Sequence, residues 1–517
     1  MKNIIVWGVS IRNWLWLPLS KKFKEHYNTK VHFICVNIQD IEYWKRNDKS
    51  GIIDSFIATS HFFQEYDNCT GPTEDIYRQA RQYEDKYGIL VSDALQADRH
   101  LGRGFSSAGT GHPRSKLSQK ATYIKSVNIF NKCMRFWEDQ IERTNPDLII
   151  GVTSGVVGKT FSAIARKRGI PIRALASAKH QSYFYWAIDE FYSFPALKEN
   201  FDLTKNAFSD IEHKELNEIK RLPVTAMNYK KYMQYSSIWN LLERVIARSM
   251  NHLFKRHKKI ISMGNYRLSE DIKYIYRMHR EIRDAHKLNL ISPEKLKGKS
   301  YVLYPLHVEP ETALSMLSPE FNEQMALIEL LAKNLPAGTL LVVKEHLASI
   351  GRRPRDFYST LLEIPNVVMV PPHVYIFELA KDAKAVAVIT STLGVESAVY
   401  GVPVISFGMH NNFRFLPHVY TVESWKELRP LLVRLCKGDT KEDREKRRKD
   451  GMRYLAALKA SSINLSWSDY NSKKREPASA KETEVLYSAL MKSINLSKNR
   501  DSVDIEKYYN DKTSNKS

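Results

Sequence analysis

Short apolar runs alternate with amphipathic stretches along most of the chain, and the alternation falls into two blocks. In the first block, Ile4–Trp7, Val31–Val36, Asp54–Ala58, Leu148–Val152 and Ile172–Leu175 read as buried strands. Ala121–Thr144 carries a helical apolar stripe that stops at Asn145-Pro146, and Ser154–Arg168 predicts a helix leaving through Gly169-Ile170-Pro171. The second block repeats the pattern. Its strands are Tyr301–Tyr304, Leu340–Val343, Val367–Val370, Val386–Ile389 and Val404–Ser406, separated by helices at Pro319–Asn334, Arg355–Glu363, Val374–Ala380 and Gly394–Tyr400. Strands that alternate with helices make doubly wound parallel sheets, so the fold class is α/β, with two Rossmann-like domains facing a cleft.

Between the blocks the pattern turns helical and basic, from about Ala207 to Leu296. The expected division is an N-terminal Rossmann-like domain over 1–206, a helical basic insert over 207–296, a C-terminal Rossmann-like domain over 297–435, and C-terminal helices with a polar tail over 436–517. Within Tyr229–Lys259 there are eight Lys or Arg (230, 231, 244, 248, 255, 256, 258 and 259) against one acid, Glu243. Ile238, Trp239, Leu242, Val245, Ile246, Leu253 and Phe254 share a helical stripe there, which suits an anionic membrane interface or a helix packed on its own domain. The run Lys441–Asp450 mixes both signs of charge and predicts a solvent-facing helix.

A chain of 517 residues is too long for one core, which agrees with two domains. Lys plus Arg number 79 against 57 Asp plus Glu, a net charge of +22 that favours anionic partners. No zinc-finger spacing or RNA-recognition motif accompanies it, so nucleic acid is not expected. No run approaches the roughly 18 apolar residues a spanning helix needs, and Met1–Gly8 reads as a first strand rather than a secretion signal. A cytoplasmic protein, at most peripheral on the inner membrane, is the expectation. Cys35, Cys69, Cys133 and Cys436 lie far apart without metal-ligand spacing; neither metal nor cofactor is expected.

Candidate chemistry gathers where strands end, because ligands of open α/β sheets bind outside the carboxyl ends of the strands. Lys344-Glu345-His346 follows Leu340–Val343, and Lys344 with His346 could stabilise a departing nucleoside phosphate. Gly351-Arg352-Arg353-Pro354 adds cations close by. Thr390-Ser391-Thr392 follows Val386–Ile389 and opens a helix, an arrangement that holds anions or simply caps the helix. Glu396 in that helix could accept from ribose hydroxyls. His307 and Glu309, after Tyr301–Tyr304, offer donor recognition or proton handling. In the first half, the stretch from Asp98 to Ser115 is glycine-rich and basic; Arg99, Arg103, His112 and Arg114 suit an anionic acceptor, and Asp98 or His100 could deprotonate an acceptor hydroxyl. The run Gly151–Thr160 imitates a phosphate loop, yet Thr153 stands where that motif requires glycine, so Gly155 and Gly158 are expected to allow close helix-to-strand packing or substrate approach.

Tyr304–Glu311, Lys344-Glu345-His346 with Gly351-Arg352-Arg353, Ile389–Glu396 and Gly401–Gly408 together resemble the capsule polysaccharide biosynthesis family. That family includes GT-B transferases of Kdo from CMP-Kdo and is similar in layout to some bacterial sialyltransferases. The resemblance covers about Tyr301–Gly408 and implies a GT-B-like, metal-independent glycosyltransferase of surface polysaccharide synthesis, with a nucleotide-sugar donor, CMP-sugar favoured, and a glycan or glycolipid acceptor. It further implies that His346 and Ser391-Thr392 touch the nucleotide phosphate. The family's Pro after that His is Leu347 here. Its first-domain acid has no unambiguous counterpart, Asp98 and Asp93 being the options. On the same fold, a nucleotide-sugar 2-epimerase, a CDP-glycerol-type polymerase or a non-catalytic membrane-associated assembly protein are the alternatives.

Overall fold

The computed structural model describes residues 1–8, 13–36, 38–59, 69–98, 101, 122–180, 182–204, 236–254, 268–285, 287–309, 311–346, 349, 353, 356–465 and 477–498. The apolar runs become two sheets. One contains β1 (Asn3–Trp7), β2 (Lys30–Cys35), β3 (Ser55–Ala58), β4 (Leu148–Ile150), β5 (Ile172–Ser177) and β6 (Tyr183–Ala187). The other contains β7 (Ser300–Pro305), β8 (Thr339–Lys344), β9 (Val367–Val370), β10 (Ala385–Val388), β11 (Val404–Ser406) and β12 (Val419–Thr421). A last short strand, β13 (Ile463–Asn464), joins the first sheet.

The second sheet is parallel throughout, in the order β12-β11-β10-β7-β8-β9, the doubly wound order in which the sheet reverses direction between its first and fourth strands. The first sheet runs β13-β6-β5-β4-β1-β2-β3, parallel from β5 to β3, with β6 and β13 antiparallel at one edge. Two Rossmann-like sheets in one chain are the expected GT-B-like architecture.

Burial on both faces explains why the strands read as unbroken apolar runs. In β7, Tyr301 and Leu303 face one core while Val302 and Tyr304 face the other, and β8 divides Val342 from Leu341 and Val343 in the same way. The first sheet does likewise, Ile5 and Trp7 against Ile4 and Val6. One cluster is common to both halves, joining Ala174, Tyr185 and Phe201 to Val388, Phe413 and Tyr454. The chain also crosses back: Trp186 Nε1 donates to the Leu486 carbonyl at 3.0 Å and Arg173 Nε to Ser493 Oγ at 3.0 Å, seating the helix Ala480–Lys498 on the first sheet.

The false phosphate loop is a packing device. A Cβ on Gly158 would stand 2.0 Å from the Thr153 carbonyl oxygen, so the helix Gly155–Lys167 leaves β4 in a turn that admits no side chain there. Gly158→Ala is expected to destabilise the fold by about 1–3 kcal/mol, measured by chemical denaturation, because the two nearest atoms it would strike belong to the Thr153 backbone.

Candidate active site

The site grows from the reversal point of the second sheet. There β7 and β10 lie side by side, so the segments after them diverge to opposite faces, the place where open α/β sheets form their ligand crevice. His307 follows β7 and Thr390 follows β10, and they are joined directly: the Thr390 N–H donates to His307 Nε2 at 3.0 Å. This bond fixes the tautomer, since a ring nitrogen that accepts carries no proton. Burial, aided by the charges of Lys179, Arg353 and His346, pushes the His307 imidazole down to about 3. His307 is therefore neutral at pH 7 with its proton on Nδ1, a buried donor that lies beside Gln324 but makes no well-aligned hydrogen bond among the described residues. Thr390 Oγ1 and Ser318 Oγ are likewise buried without a hydrogen-bond partner among the described residues.

Arg353 holds the segment that carries His307. Its guanidinium, 1 % exposed, pairs with Glu309 at 2.9 Å and Glu345 at 2.9 Å, and donates to the His307 carbonyl at 2.6 Å. Gln324 accepts from the His307 N–H at 2.7 Å and donates to Glu309, while Tyr358 donates to Glu345 Oε2 at 2.8 Å. Glu345 also accepts from the His346 backbone N–H at 2.6 Å. One buried cation thus ties the segment after β7 to the segment after β8 and leaves the His346 side chain exposed.

Two expectations are corrected by this network. Glu309 is not free for donor recognition: it is 3 % exposed and neutralised by Arg353. Burial lifts its carboxyl above the usual range, with Arg353 offsetting only part. Arg353 is likewise not an extra surface cation for a ligand, because two carboxylates and a carbonyl already occupy it. Arg352 and Gly351 lie outside the described residues.

Lys344 ends β8 with its ammonium 3.4 Å from the Glu345 carbonyl, and burial pushes it down to about 8. Ser391 caps the helix Thr392–Val399, its hydroxyl accepting from the Leu393 N–H at 3.2 Å, and Thr392 is exposed in the first turn. Ser391 is therefore occupied as a cap. Glu396 sits buried one turn further on.

The first sheet supplies two groups that sequence reading missed. Lys179, just past β5, donates across to the Thr390 carbonyl at 3.0 Å, and Lys159 of the helix Gly155–Lys167 donates to the Met316 carbonyl at 3.0 Å. Burial lowers both, Lys179 to about 8, with Glu311 offsetting part of its shift. Lys179 also holds a left-handed backbone, φ 58°, costly for a residue with a side chain and characteristic of functional positions. Nearby, the rings of Phe191 and His410 stack at 4.4 Å, and Asn412 accepts from the Phe194 N–H at 3.2 Å. The carboxyl ends of the two sheets thus meet around basic groups. The lysines themselves follow a helix start and a strand end; their burial, the carbonyls they reach and the positive φ lie beyond sequence.

Asp98 receives a different role from the acceptor base read in the sequence. It is 2 % exposed, and its oxygens accept from the Leu101 N–H at 3.1 Å and the Val156 N–H at 3.1 Å. The second bond satisfies a free N–H at the start of the helix Gly155–Lys167. Gly155, at φ +81°, leaves room for it: a Cβ there would lie 2.5 Å from Asp98 Oδ2. Asp93, the other option, accepts from the Leu90 N–H at 3.3 Å as a local cap. Arg99, His100, Arg103, His112 and Arg114 lie outside the described residues.

Residues 212–412 match the capsule polysaccharide biosynthesis family. The resemblance read over about Tyr301–Gly408 is borne out, and the matched segment contains His307, Glu309, Lys344, His346 and Thr390–Glu396. No curated protein matches the chain. Among solved structures, the chain is similar to the KpsC β-Kdo 2,4 transferase of Thermosulfurimonas dismutans, at 15% identity over 56% of this chain and 78% of that one, TM-score 0.28. It is also similar to a UDP-GlcNAc 2-epimerase of Neisseria meningitidis bound to UDP-GlcNAc, at 12% identity over 95% of this chain and 100% of that one, TM-score 0.22. Likeness at that level assigns no residue and no activity.

Proposed function

We propose that the chain is a glycosyltransferase of bacterial capsular or lipopolysaccharide synthesis, moving a sugar from a nucleotide donor to a glycan or glycolipid acceptor on the cytoplasmic side. The observation that supports this most is the gathering of donors at the reversal point of the second sheet: Lys179, Lys344, the His307 Nδ1–H and the start of the helix Thr392–Val399. His346, exposed beside them, completes a set suited to a nucleotide phosphate. A CMP-sugar, Kdo from CMP-Kdo foremost, is the donor that the family kinship favours.

In the transfer, the acceptor hydroxyl oxygen forms a bond to the anomeric carbon as the bond from that carbon to the phosphate oxygen breaks. The electron pair goes to the leaving phosphate, where Lys179, Lys344 and His346 meet the growing charge. With Asp98 occupied as a cap, His100 is the proposed recipient of the hydroxyl proton, and Arg99, Arg103, His112 and Arg114 hold an anionic acceptor. Glu396 retains its proposed place near the donor through the helix that Ser391 and Thr392 open.

Calorimetric titration with CMP, UDP and CDP tests the reading. One of them should bind, and Lys179→Met should weaken it roughly tenfold to hundredfold, the worth of a hydrogen bond to a charged group. The pH dependence has a definite sign. Lys179 and Lys344 lose their protons near pH 8, and a phosphate stabilises the ammonium form. Binding therefore takes up protons around and above pH 8, affinity falls as pH rises through that region, and Lys179→Met flattens the fall. Absence of nucleotide binding would remove the transferase reading; turnover of a nucleotide sugar without acceptor would replace it with an epimerase.

A further inference from the structure

The helix Ile238–Phe254 turns its apolar residues the wrong way for a soluble protein. Trp239 is 78% exposed, Ile246 62% and Leu253 61%, and Leu242 and Met250 are exposed with them. At 3.6 residues per turn, positions 239, 242, 246, 250 and 253 fall within an arc of about 80°, a single narrow stripe along the helix. The side that packs is more polar. Arg244 reaches Met278 Sδ at 3.5 Å on the neighbouring helix Leu268–Ala285, whose Ile275, Met278 and Ile282 are buried. Such a contiguous exposed apolar face marks an interaction surface.

Charge identifies the occupant. The helix itself holds one acid, Glu243, and in the sequence it stands between Lys230-Lys231 on one side and Lys255, Arg256, Lys258 and Lys259 on the other. An apolar stripe bracketed by cations matches the layering of an anionic bilayer surface, with acyl chains beneath and phosphate headgroups around. A protein groove would match the stripe without calling for basic flanks on both sides. At 1.5 Å per residue the helix is about 25 Å long, enough to lie flat in the interface. No described helix is long and apolar enough to cross a membrane.

We infer that the helix Ile238–Phe254 docks the protein on an anionic lipid surface, inserting Trp239, Leu242, Ile246, Met250 and Leu253 among the headgroups. This inference does not depend on the proposed transfer reaction. Insertion would hold the crevice close to a membrane plane, where a lipid-linked acceptor would be concentrated.

Flotation of the full chain with vesicles provides the test, using phosphatidylcholine alone and phosphatidylcholine mixed with phosphatidylglycerol. The protein should float with the anionic vesicles, fail to float with the neutral ones, and be released by high salt. Ile246→Glu should lower the floated fraction at least about tenfold, since it removes an inserted side chain and places a carboxylate against anionic headgroups. Trp239→Ala should lower it less, and both should keep the wild-type circular dichroism spectrum, because neither position is packed. Failure of the wild type to float with anionic vesicles overturns the inference, as does flotation of Ile246→Glu at the wild-type level. A lipid-free dimer that Ile246→Glu splits, without flotation, would assign the stripe to a second copy of the chain and equally overturn it.

Discussion

Arg353→Met should destabilise the folded protein by about 3–5 kcal/mol at pH 8, the cost of leaving buried charge without its partner. Methionine keeps much of the volume, so the loss is electrostatic rather than a cavity. Glu309 and Glu345, 3 % and 1 % exposed, would face each other with no cation between them. The deficit should shrink in acid. Glu309 already has its carboxyl raised by burial, and loss of Arg353 raises it further. A carboxyl raised in the folded state binds more protons there than in the unfolded chain. The penalty is thus absent below the unfolded pKa and grows as pH rises through the folded one. Urea denaturation of wild type and variant at pH 5 and pH 8 reads this directly: equal deficits at both would mean that Arg353 contributes packing alone. Nucleotide binding should weaken as well, because the His307 carbonyl and the His346 N–H are held through this network.

The strands were legible in the sequence for a physical reason. A parallel strand covered on both faces must be apolar throughout, so Val367–Val370 and Val404–Ser406 are read at their true bounds and β7, β8 and β10 to within a residue or so. β6 escapes the reading because it follows β5 as an antiparallel hairpin, which breaks the strand-helix alternation; β12 is only partly buried and β13 spans two residues, so neither makes an apolar run. The same reasoning found the positions after β7, β8 and β10, since a strand end is visible wherever an apolar run stops. What it could not supply was partnership. Arg353 and Glu309 are distant in sequence, and only the fold brings their charges together; before that, each resembles a ligand-binding residue. Asp98 misled similarly, being a polar residue beside a basic loop whose oxygens turn out to serve backbone N–H groups. Lys159 and Lys179 were passed over because their significance comes from the opposite sheet, whose carbonyls they reach.

His346→Ala should lower the rate of sugar transfer by about 10²–10³-fold, the usual effect of removing one preorganised donor from a developing oxyanion. The basis for so large an effect is rigidity. Glu345 accepts from the His346 N–H at 2.6 Å and is itself fixed by Arg353 and Tyr358, so the His346 backbone is held before any ligand arrives while the imidazole stays exposed. Stability should be unchanged within error, since an exposed ring contributes little packing. That separates this variant from Arg353→Met, which should lose stability and binding together. Combining the two should cost less transfer activity than the sum of the single losses, because a displaced loop has already withdrawn the imidazole. Single-turnover transfer with saturating donor is the measurement that matters, as it isolates the chemical step from nucleotide affinity. A His346→Ala protein transferring sugar at the wild-type rate would detach the imidazole from the reaction and leave the departing phosphate to Lys179, Lys344 and the helix start.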